Sequence, residues 1–528
     1  MTDTSQTVLL ALGLGSLVMV VTALARRLPV PTPILQVGAG LLVGLIQGAA
    51  VPDLEPDLVF FVFLPPVLWS AAYFTSLREF KANIRPIGLL AIGLVIATTG
   101  AVAVVTHALL PGLPWAVAVA IGAIVSPPDA VAAGAIIKRL PVPRRVMVIL
   151  EGESLVNDAS ALVLYRTAVL AAVTGHFSLG ETVVRFFIDA AVGVLVGFMI
   201  AWLIVAIARR VNDPVALGLV TLLAPWSAWI AAELLHVSAV LACVAGGLYL
   251  RQHFSTVVSP LTRTNTGAVW DVLIFVVSGL IFVLLGIQFG DLVESTPLPT
   301  LVRAGWHALA VSLIVILVRL IWVPVATYLP RWASARLRQR DPAPNPKGVG
   351  LVAWTSMRGI VSLATALALP TALADGTRFP YRPEILIITL GVILVTLVIQ
   401  GLTLAPLIRK LHFSHDPAPD IEQQHARREA LRNGLERLED LANEPWVPGE
   451  EVALLREEYR RRSEADQGGT PGQGRSDASN RLRAELLRAE RRAVVRLRDE
   501  GAISDQVLYE LERELDVEAI RLGVGEER

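Results

Sequence analysis

The stretch ILEGESLVNDASALVLYR, residues 149–166, has the apolar composition of a membrane helix but carries acidic side chains near its middle. Glu151, Glu153 and Asp158 lie within about two helical turns of one another. An ionised carboxylate inside a bilayer is costly unless it has a partner or water, so acids in such helices usually face a protein interior or a wet cavity. The stretch therefore predicts a functional site within a membrane domain.

The composition of the whole chain agrees with a membrane protein. Of 528 residues, 54% are hydrophobic and only 17% are charged. Apolar runs near the roughly 20 residues needed to cross a bilayer recur about thirteen times. They lie near residues 7–25, 30–50, 57–74, 86–110, 114–138, 145–174, 182–208, 214–234, 236–251, 268–289, 302–329, 349–372 and 383–410. We expect an all-α polytopic fold, with a transmembrane domain over residues 1–411.

Basic residues predict the orientation of this domain. Alternate loops divide into a set rich in Lys and Arg and a set nearly free of them, which includes the acidic stretch at residues 53–57. Because Lys and Arg accumulate on the cytoplasmic side, the amino terminus is predicted outside and the carboxyl terminus in the cytoplasm, which requires an odd number of spans. The expected location is the plasma membrane, the inner membrane of a bacterial cell.

One face of the sixth run carries the polar groups. Ser154, Asn157 and Asp158 are spaced i, i+3 and i+4, so a helix places them on one side, with Asp158 about halfway across the membrane. The alternative is a polar packing seam without chemistry, which we consider the weaker interpretation because intramembrane acids are usually functional.

The fifth run is interrupted by SPPD, residues 126–129. Pro127 and Pro128 remove two amide donors and disfavour helix before them, so the helix is predicted to break beside Asp129. Unwound backbone survives in a bilayer only where it is buried in protein or lines a cavity, and its carbonyls suit a cation. A simple kink with Asp129 satisfied by water is the alternative.

The twelfth run is interrupted by TSMRG, residues 355–359. It lies an odd number of spans after the fifth run, so the two cross the membrane in opposite directions. Two interrupted spans in corresponding positions of inverted repeats are typical of secondary transporters. We therefore expect two inverted repeats with crossed, discontinuous helices. Arg358 is the natural cationic partner of Glu153 or Glu151, although it could also reach the cytoplasmic interface.

Four motifs together resemble the monovalent cation:proton antiporter-1 family, in its bacterial Na⁺/H⁺ exchanger branch. They are FLPPVLWSAAY (63–73), SPPDAVA (126–132), EGESLVND (151–158) and TSMRG (355–359). The resemblance covers the whole membrane part, and the motifs occur in the expected order.

The resemblance implies a role for each site residue. Asp158 would bind the cation and the proton in competition, and Asn157 would mark the electroneutral branch, in which one cation is exchanged for one proton. Ser154 would be a hydroxyl ligand, Asp129 an acid that reaches the ion directly or through water, and Pro128 a ligand through its carbonyl.

The resemblance also implies a supporting ion pair between Glu153 and Arg358, a homodimer, and no resident cofactor besides the transported Na⁺ and H⁺. Two positions depart from the family pattern. Pro128 stands where a Thr is common, and Ser70 stands in the third span where many members have an acid. Both departures leave the selectivity for the ion open.

The predicted function is exchange of a monovalent cation for H⁺ across the membrane, with Na⁺ expected in preference to Li⁺ or K⁺. The expected physiological role is pH and sodium homeostasis. A K⁺/H⁺ antiporter is the alternative, and a cation channel would also need polar residues in broken helices. An intramembrane enzyme is disfavoured, since no nucleophile or metal-ligand set is recognisable. No partner beyond ions, lipid and a second copy of the chain is expected, and nucleic acid is not.

Residues 412–528 differ from the rest, because they are polar and dense in Arg and Glu. They predict a helical cytoplasmic tail with a flexible, glycine-rich linker near residues 466–477. Apolar stripes after this linker favour a helical hairpin, with Ser504 as the N-cap of its second helix. The tail could dock, dimerise or sense a signal, or it could pack passively.

Overall fold

The computed structural model describes residues 3–28, 30–46, 57, 59–137, 140–175, 179–211, 213–258, 260–373, 377–413, 432–442, 444, 448–467 and 517. Within these ranges the regular structure is helical, apart from one isolated bridge between Ala372 and Arg378. The chain separates into two compact units, Met1–His415 and Asp416–Arg528.

Most helices of the first unit follow the predicted apolar runs, while the short α4 and α15 lie between runs. They are α1 (Asp3–Ala25), α2 (Thr32–Gly44), α3 (Leu64–Phe74, preceded by a π-helical turn at Val59–Phe63), α4 (Leu77–Ala82), α5 (Ile84–Gly88), α6 (Val95–Leu109, joined to α5 by a π-helical turn at Leu89–Leu94), α7 (Trp115–Val125), α8 (Ala130–Ile137), α9 (Arg144–Thr174), α10 (Leu179–Ala208), α11 (Pro214–Leu234), α12 (Ala239–Val257), α13 (Pro260–Ser295), α14 (Leu298–Ala333), α15 (Ala335–Arg340), α16 (Pro346–Trp354), α17 (Ile360–Leu367) and α18 (Arg382–Leu411).

Seven of the described helices are long and apolar enough to cross a membrane on their own. They include the sixth predicted run, α9, and shorter apolar helices accompany them. Large apolar side chains such as Phe187, Trp202, Trp306 and Leu313 are exposed on the outer surface. This pattern suits a lipid environment, in which the protein surface can be as apolar as its core.

Two groups of helices pack around the acidic helix α9. One group contains α5–α8 and α14–α18, and the other contains α1–α3 and α10–α13. Helices α2 and α13 lie so close that a β-carbon on Gly286 would be 2.7 Å from the backbone nitrogen of Leu41, so only glycine fits there. Because α9 contacts both groups, its acidic face lies near their boundary.

The second unit contains α19 (Gly449–Gln467) and a helical stretch at residues 432–441. Arg456 donates two hydrogen bonds of 2.7 Å to the carboxylate of Glu439. The pKa of Glu439 is lowered by these bonds. The predicted linker lies, apart from its first two residues, outside the described residues, and so do the hairpin and its cap at Ser504.

Candidate functional site

The double proline interrupts the fifth run as the sequence predicts. Helix α7 ends at Val125 and α8 begins at Ala130, with the four intervening residues non-helical. Pro127 and Pro128 are the cause, because neither can donate the amide hydrogen bond that would continue the helix. The break leaves the last carbonyls of α7 and the first amides of α8 without helical partners.

The twelfth run is also interrupted, since α16 ends at Trp354 and α17 begins at Ile360. The two breaks meet. The backbone N–H of Asp129 donates to the carbonyl of Met357 at 2.7 Å. Each unwound segment therefore satisfies a backbone group that the other has freed, and neither needs water for it.

Arg358 binds the carbonyl end of α7. Its Nε donates to the carbonyl of Val125 at 2.9 Å and its Nη2 to that of Ser126 at 3.4 Å, while Nη1 contacts Ser356. Its backbone N–H donates to Oγ1 of Thr396 at 3.2 Å. A cation is favourable at a helix C-terminus, where the carbonyl dipoles point outward. Arg358 thus fastens the two breaks together.

The structure corrects the predicted partner of Glu153. Its carboxylate accepts two hydrogen bonds from Arg319 of α14, at 2.5 and 2.7 Å, and not from Arg358. Both side chains are only 1% exposed. The Nε of Arg319 also donates to the carbonyl of Val352 at 3.1 Å, so this bidentate pair joins α9, α14 and α16. Arg358 is itself 1% exposed and does not reach the interface.

Asp129 has a structural task beside any role in ion binding. Its Oδ1 accepts a hydrogen bond of 2.8 Å from the backbone N–H of Val131, which caps the start of α8. The carboxyl group also lies against Gly359, where a β-carbon would be 2.5 Å from Cγ of Asp129. Glycine at position 359 is therefore required by the close approach of the two breaks.

Gly359→Ala is expected to push the Asp129 carboxyl group out of place. Overpacking of this kind typically costs about 1–3 kcal/mol, and the variant should both melt earlier and exchange cations for protons more slowly. Gly350→Ala on α16 is the matched control, because no atom lies within 4 Å of a β-carbon there. Thermal unfolding in detergent and transport in proteoliposomes check the prediction, and equal behaviour of the two variants would contradict it.

A small cavity of about 50 Å³ joins the acidic face to the first break. Its polar lining consists of Asp129, Ser154, Asp158, Ser278 and Ser362, and apolar side chains of α3 and α13 close it. Asp158 is 6% exposed. The volume is large enough for a small ion together with a few waters.

Asn157 faces the first break from α9. Its Nδ2 donates to the carbonyl of Pro128 at 2.8 Å, and its Oδ1 is buried without a hydrogen-bond partner among the described residues. The bond fixes the unwound backbone next to Asp158 and occupies one lone pair of the Pro128 carbonyl. The other lone pair of this carbonyl remains able to coordinate a cation.

Ser70 is buried in α3, but Leu68 and Ala71 of that helix line the cavity and Ser70 does not. Sequence reasoning did not assign three residues to the site, which are Arg319 as the partner of Glu153 and, in the cavity lining, Ser278 and Ser362. Arg319 could have been found from the cost of an arginine in the middle of an apolar run, which demands a buried partner. Ser362 gives no comparable signal, because a single hydroxyl in an apolar helix can bond to its own backbone.

The family of this chain follows from comparisons with known proteins. The profile of the transmembrane sodium/hydrogen exchanger family matches residues 14–410. The chain belongs to this family. It is similar to an uncharacterised Na⁺/H⁺ exchanger of Mycobacterium tuberculosis, with 34% identity over 97% of this chain and 95% of the relative. It is 30% identical to a sodium, potassium, lithium and rubidium/H⁺ antiporter of Bacillus subtilis, over 96% of this chain and 78% of that one.

Among solved structures, the sodium proton antiporter MjNhaP1 of Methanocaldococcus jannaschii has a TM-score of 0.57 and 19% identity, over 76% of this chain and 99% of that one. This likeness concerns the fold. The family resemblance predicted from the four motifs is confirmed. The protein is a multi-span monovalent cation/H⁺ antiporter and not an enzyme.

Proposed function

We propose that this antiporter exchanges one monovalent cation for one proton, that Na⁺ is its preferred cation, and that cation and proton bind in competition at Asp158. The observation that supports this most is the buried position of Asp158 in a cavity shared with an unwound backbone segment and three serines, Ser154, Ser278 and Ser362. A dehydrated cation needs oxygen ligands of this kind, and the carboxylate supplies the charge that balances it.

The count of free carboxylates supports the stoichiometry. Glu153 is committed to Arg319 in a bidentate pair. Asp129 lines the cavity, but one of its oxygens caps α8 and its carboxyl group is held against Gly359. Within the described part of the chain, Asp158 has no ion pair. It is therefore the carboxylate best placed to trade a proton for a cation.

Competition at one carboxylate is sufficient for exchange. An ionised and empty Asp158 is disfavoured in a low-dielectric site, and either a proton or a cation neutralises it. If only the neutralised site can cross the apolar barrier, the conformational change occurs in one direction with the cation bound and in the other with the proton bound. The empty, ionised site does not make the change. Coupling then needs no covalent step, while Arg358 and the Arg319 pair hold the moving helices together.

The proposed architecture places this site at the centre of two inverted repeats with about thirteen spans. The supporting observation is that the fifth and twelfth runs are both discontinuous and contact each other through Asp129 and Met357. In this arrangement the amino terminus lies outside, the carboxyl terminus lies in the cytoplasm, and the protein works as a homodimer in the plasma membrane.

Exchange at a single carboxylate should move no net charge. In proteoliposomes whose membrane potential is clamped at several values with a permeant lipophilic ion, the initial rate and the final cation gradient should not change with the potential. A final gradient that shifts with the imposed potential would show that a second titrating group participates. Asp129→Asn would then be the first variant to measure, with Asp271→Asn as a control, because Asp271 is exposed.

The identity of the cation is tested by a panel. Na⁺, Li⁺, K⁺ and Rb⁺ are added in turn to proteoliposomes with an imposed pH gradient, and the concentration that half-saturates proton movement is compared. The proposal expects Na⁺ to saturate at the lowest concentration. A K⁺/H⁺ antiporter would reverse this order, and the name of the B. subtilis relative includes both ions.

A further inference from the structure

A second cavity, of about 420 Å³, lies apart from the cation site and shares no lining residue with its cavity. It is lined by the ends of α5, α9 and α14 that are predicted to face the cytoplasm, by the start of α16, and by His412 and Phe413, which follow α18. Among the described residues, its lining includes four Arg and Lys side chains and no Asp or Glu. They are Arg85, Arg145, Arg331 and Lys347.

One carboxylate near this cavity offsets part of the positive charge. Asp341 accepts a hydrogen bond of 2.8 Å from Arg145 and another from Arg331. Partial burial alone would raise the pKa of Asp341, but the two arginines hold it below its usual value. Asp341 thus stays ionised and contributes one negative charge. The four lining cations and Asp341 together carry a net charge of plus three.

Arg85 is the least satisfied of these cations. Its two terminal nitrogens, Nη1 and Nη2, are buried and have no hydrogen-bond partner within the described residues. A guanidinium presents five donors, and burying charged donors without acceptors is strongly unfavourable. The Arg85 side chain lines the cavity and has several rotatable bonds. A change of its rotamer therefore brings these donors to an acceptor bound there.

The start of α16 adds to the positive field. Asn345 accepts from the backbone N–H of Lys347 at 3.0 Å and caps this helix, so its N-terminal end lines the cavity beside the Lys347 ammonium group. Helix N-termini attract anions, and Arg and Lys side chains together are the usual ligands of phosphate. The volume is several times larger than that of a single water and admits a phosphate-sized group.

We propose that this cavity binds a phosphate-bearing anion, with Arg85 and Lys347 as its principal ligands. Arg145 and Arg331, already held by Asp341, form the positive wall behind it. The phosphate can belong to the headgroup of an anionic lipid that enters from the membrane or to a soluble phosphate compound from the aqueous phase. Both sources present the same oxygens to the same donors.

The test uses the purified, delipidated full-length protein at constant ionic strength. One arm titrates phosphatidylglycerol against phosphatidylcholine, and the other titrates inorganic pyrophosphate against chloride, with thermal stabilisation as the measurement. We expect saturable stabilisation in at least one arm, and the arm in which it occurs identifies the source. Absence of saturation in both arms would overturn the proposal.

Three variants assign the site. Arg85→Gln and Lys347→Gln should each weaken binding roughly tenfold, the usual effect of losing one charge-assisted hydrogen bond. Arg210→Gln removes the same charge from an exposed position outside the cavity and should bind like the original protein. Lys347 is exposed, so its variant remains informative if Arg85→Gln folds poorly. Equal weakening in all three variants would mean nonspecific attraction and would contradict the proposed site.

Discussion

Asp158→Asn is expected to abolish cation–proton exchange. The change removes the titratable charge with almost no change in volume, so neither a proton nor a cation can neutralise the site in turn. Loss of a group that must carry a proton typically slows a reaction by about a hundredfold or more, and we expect at least this loss in the initial rate. The measurement is Na⁺-driven proton movement in proteoliposomes with an imposed pH gradient.

Folding should survive this change, because Asp158 lines a cavity and holds no ion pair among the described residues. Thermal unfolding and gel filtration of the purified variant establish that point. Asp271→Asn is the matched control, since it removes the same charge from an exposed position of α13. Robust Na⁺-driven proton movement by a correctly folded Asp158→Asn protein would sink the assignment.

Glu153→Gln is expected to destabilise the membrane domain strongly. It leaves Arg319 charged and buried at 1% exposure, and loss of one partner from a buried pair costs about 3–5 kcal/mol. Arg319→Leu leaves the Glu153 carboxylate unpaired and should have a similar effect. Both single variants should show poor expression and early melting in detergent.

Paired replacements identify the partner. Glu153→Gln combined with Arg319→Leu removes both charges, and replacing a buried pair by neutral side chains is often tolerated, so stability should largely return. Glu153→Gln combined with Arg358→Leu should melt even earlier, because it also frees the α7 carbonyls that Arg358 binds. If stability returned in the double variant with Arg358→Leu and not in the one with Arg319→Leu, Glu153 would be paired with Arg358 and not with Arg319.

Much about this protein is determined by local sequence. The apolar runs indicate a membrane protein because roughly 20 apolar residues in a helix match the thickness of the bilayer core. The break at residues 126–129 follows from two prolines. They lack the amide hydrogen that a helix needs, and this effect does not depend on what the helix packs against. The shared face of Ser154 and Asp158 follows from the helical period alone, and both side chains do line one cavity.

Only the tertiary structure decided how the charges are shared. Arg319 and Arg358 both lie in apolar runs, and helical period says nothing about which of two distant helices crosses α9 at Glu153. The crossing places Arg319 opposite the carboxylate, whereas Arg358 is taken by the carbonyls at the end of α7. The second cavity likewise collects Arg85, Arg145, Arg331 and Lys347 from separate segments. Partner choice depends on helix packing angles, which arise from the side-chain contacts of the whole bundle and cannot be derived from the spacing within any one helix.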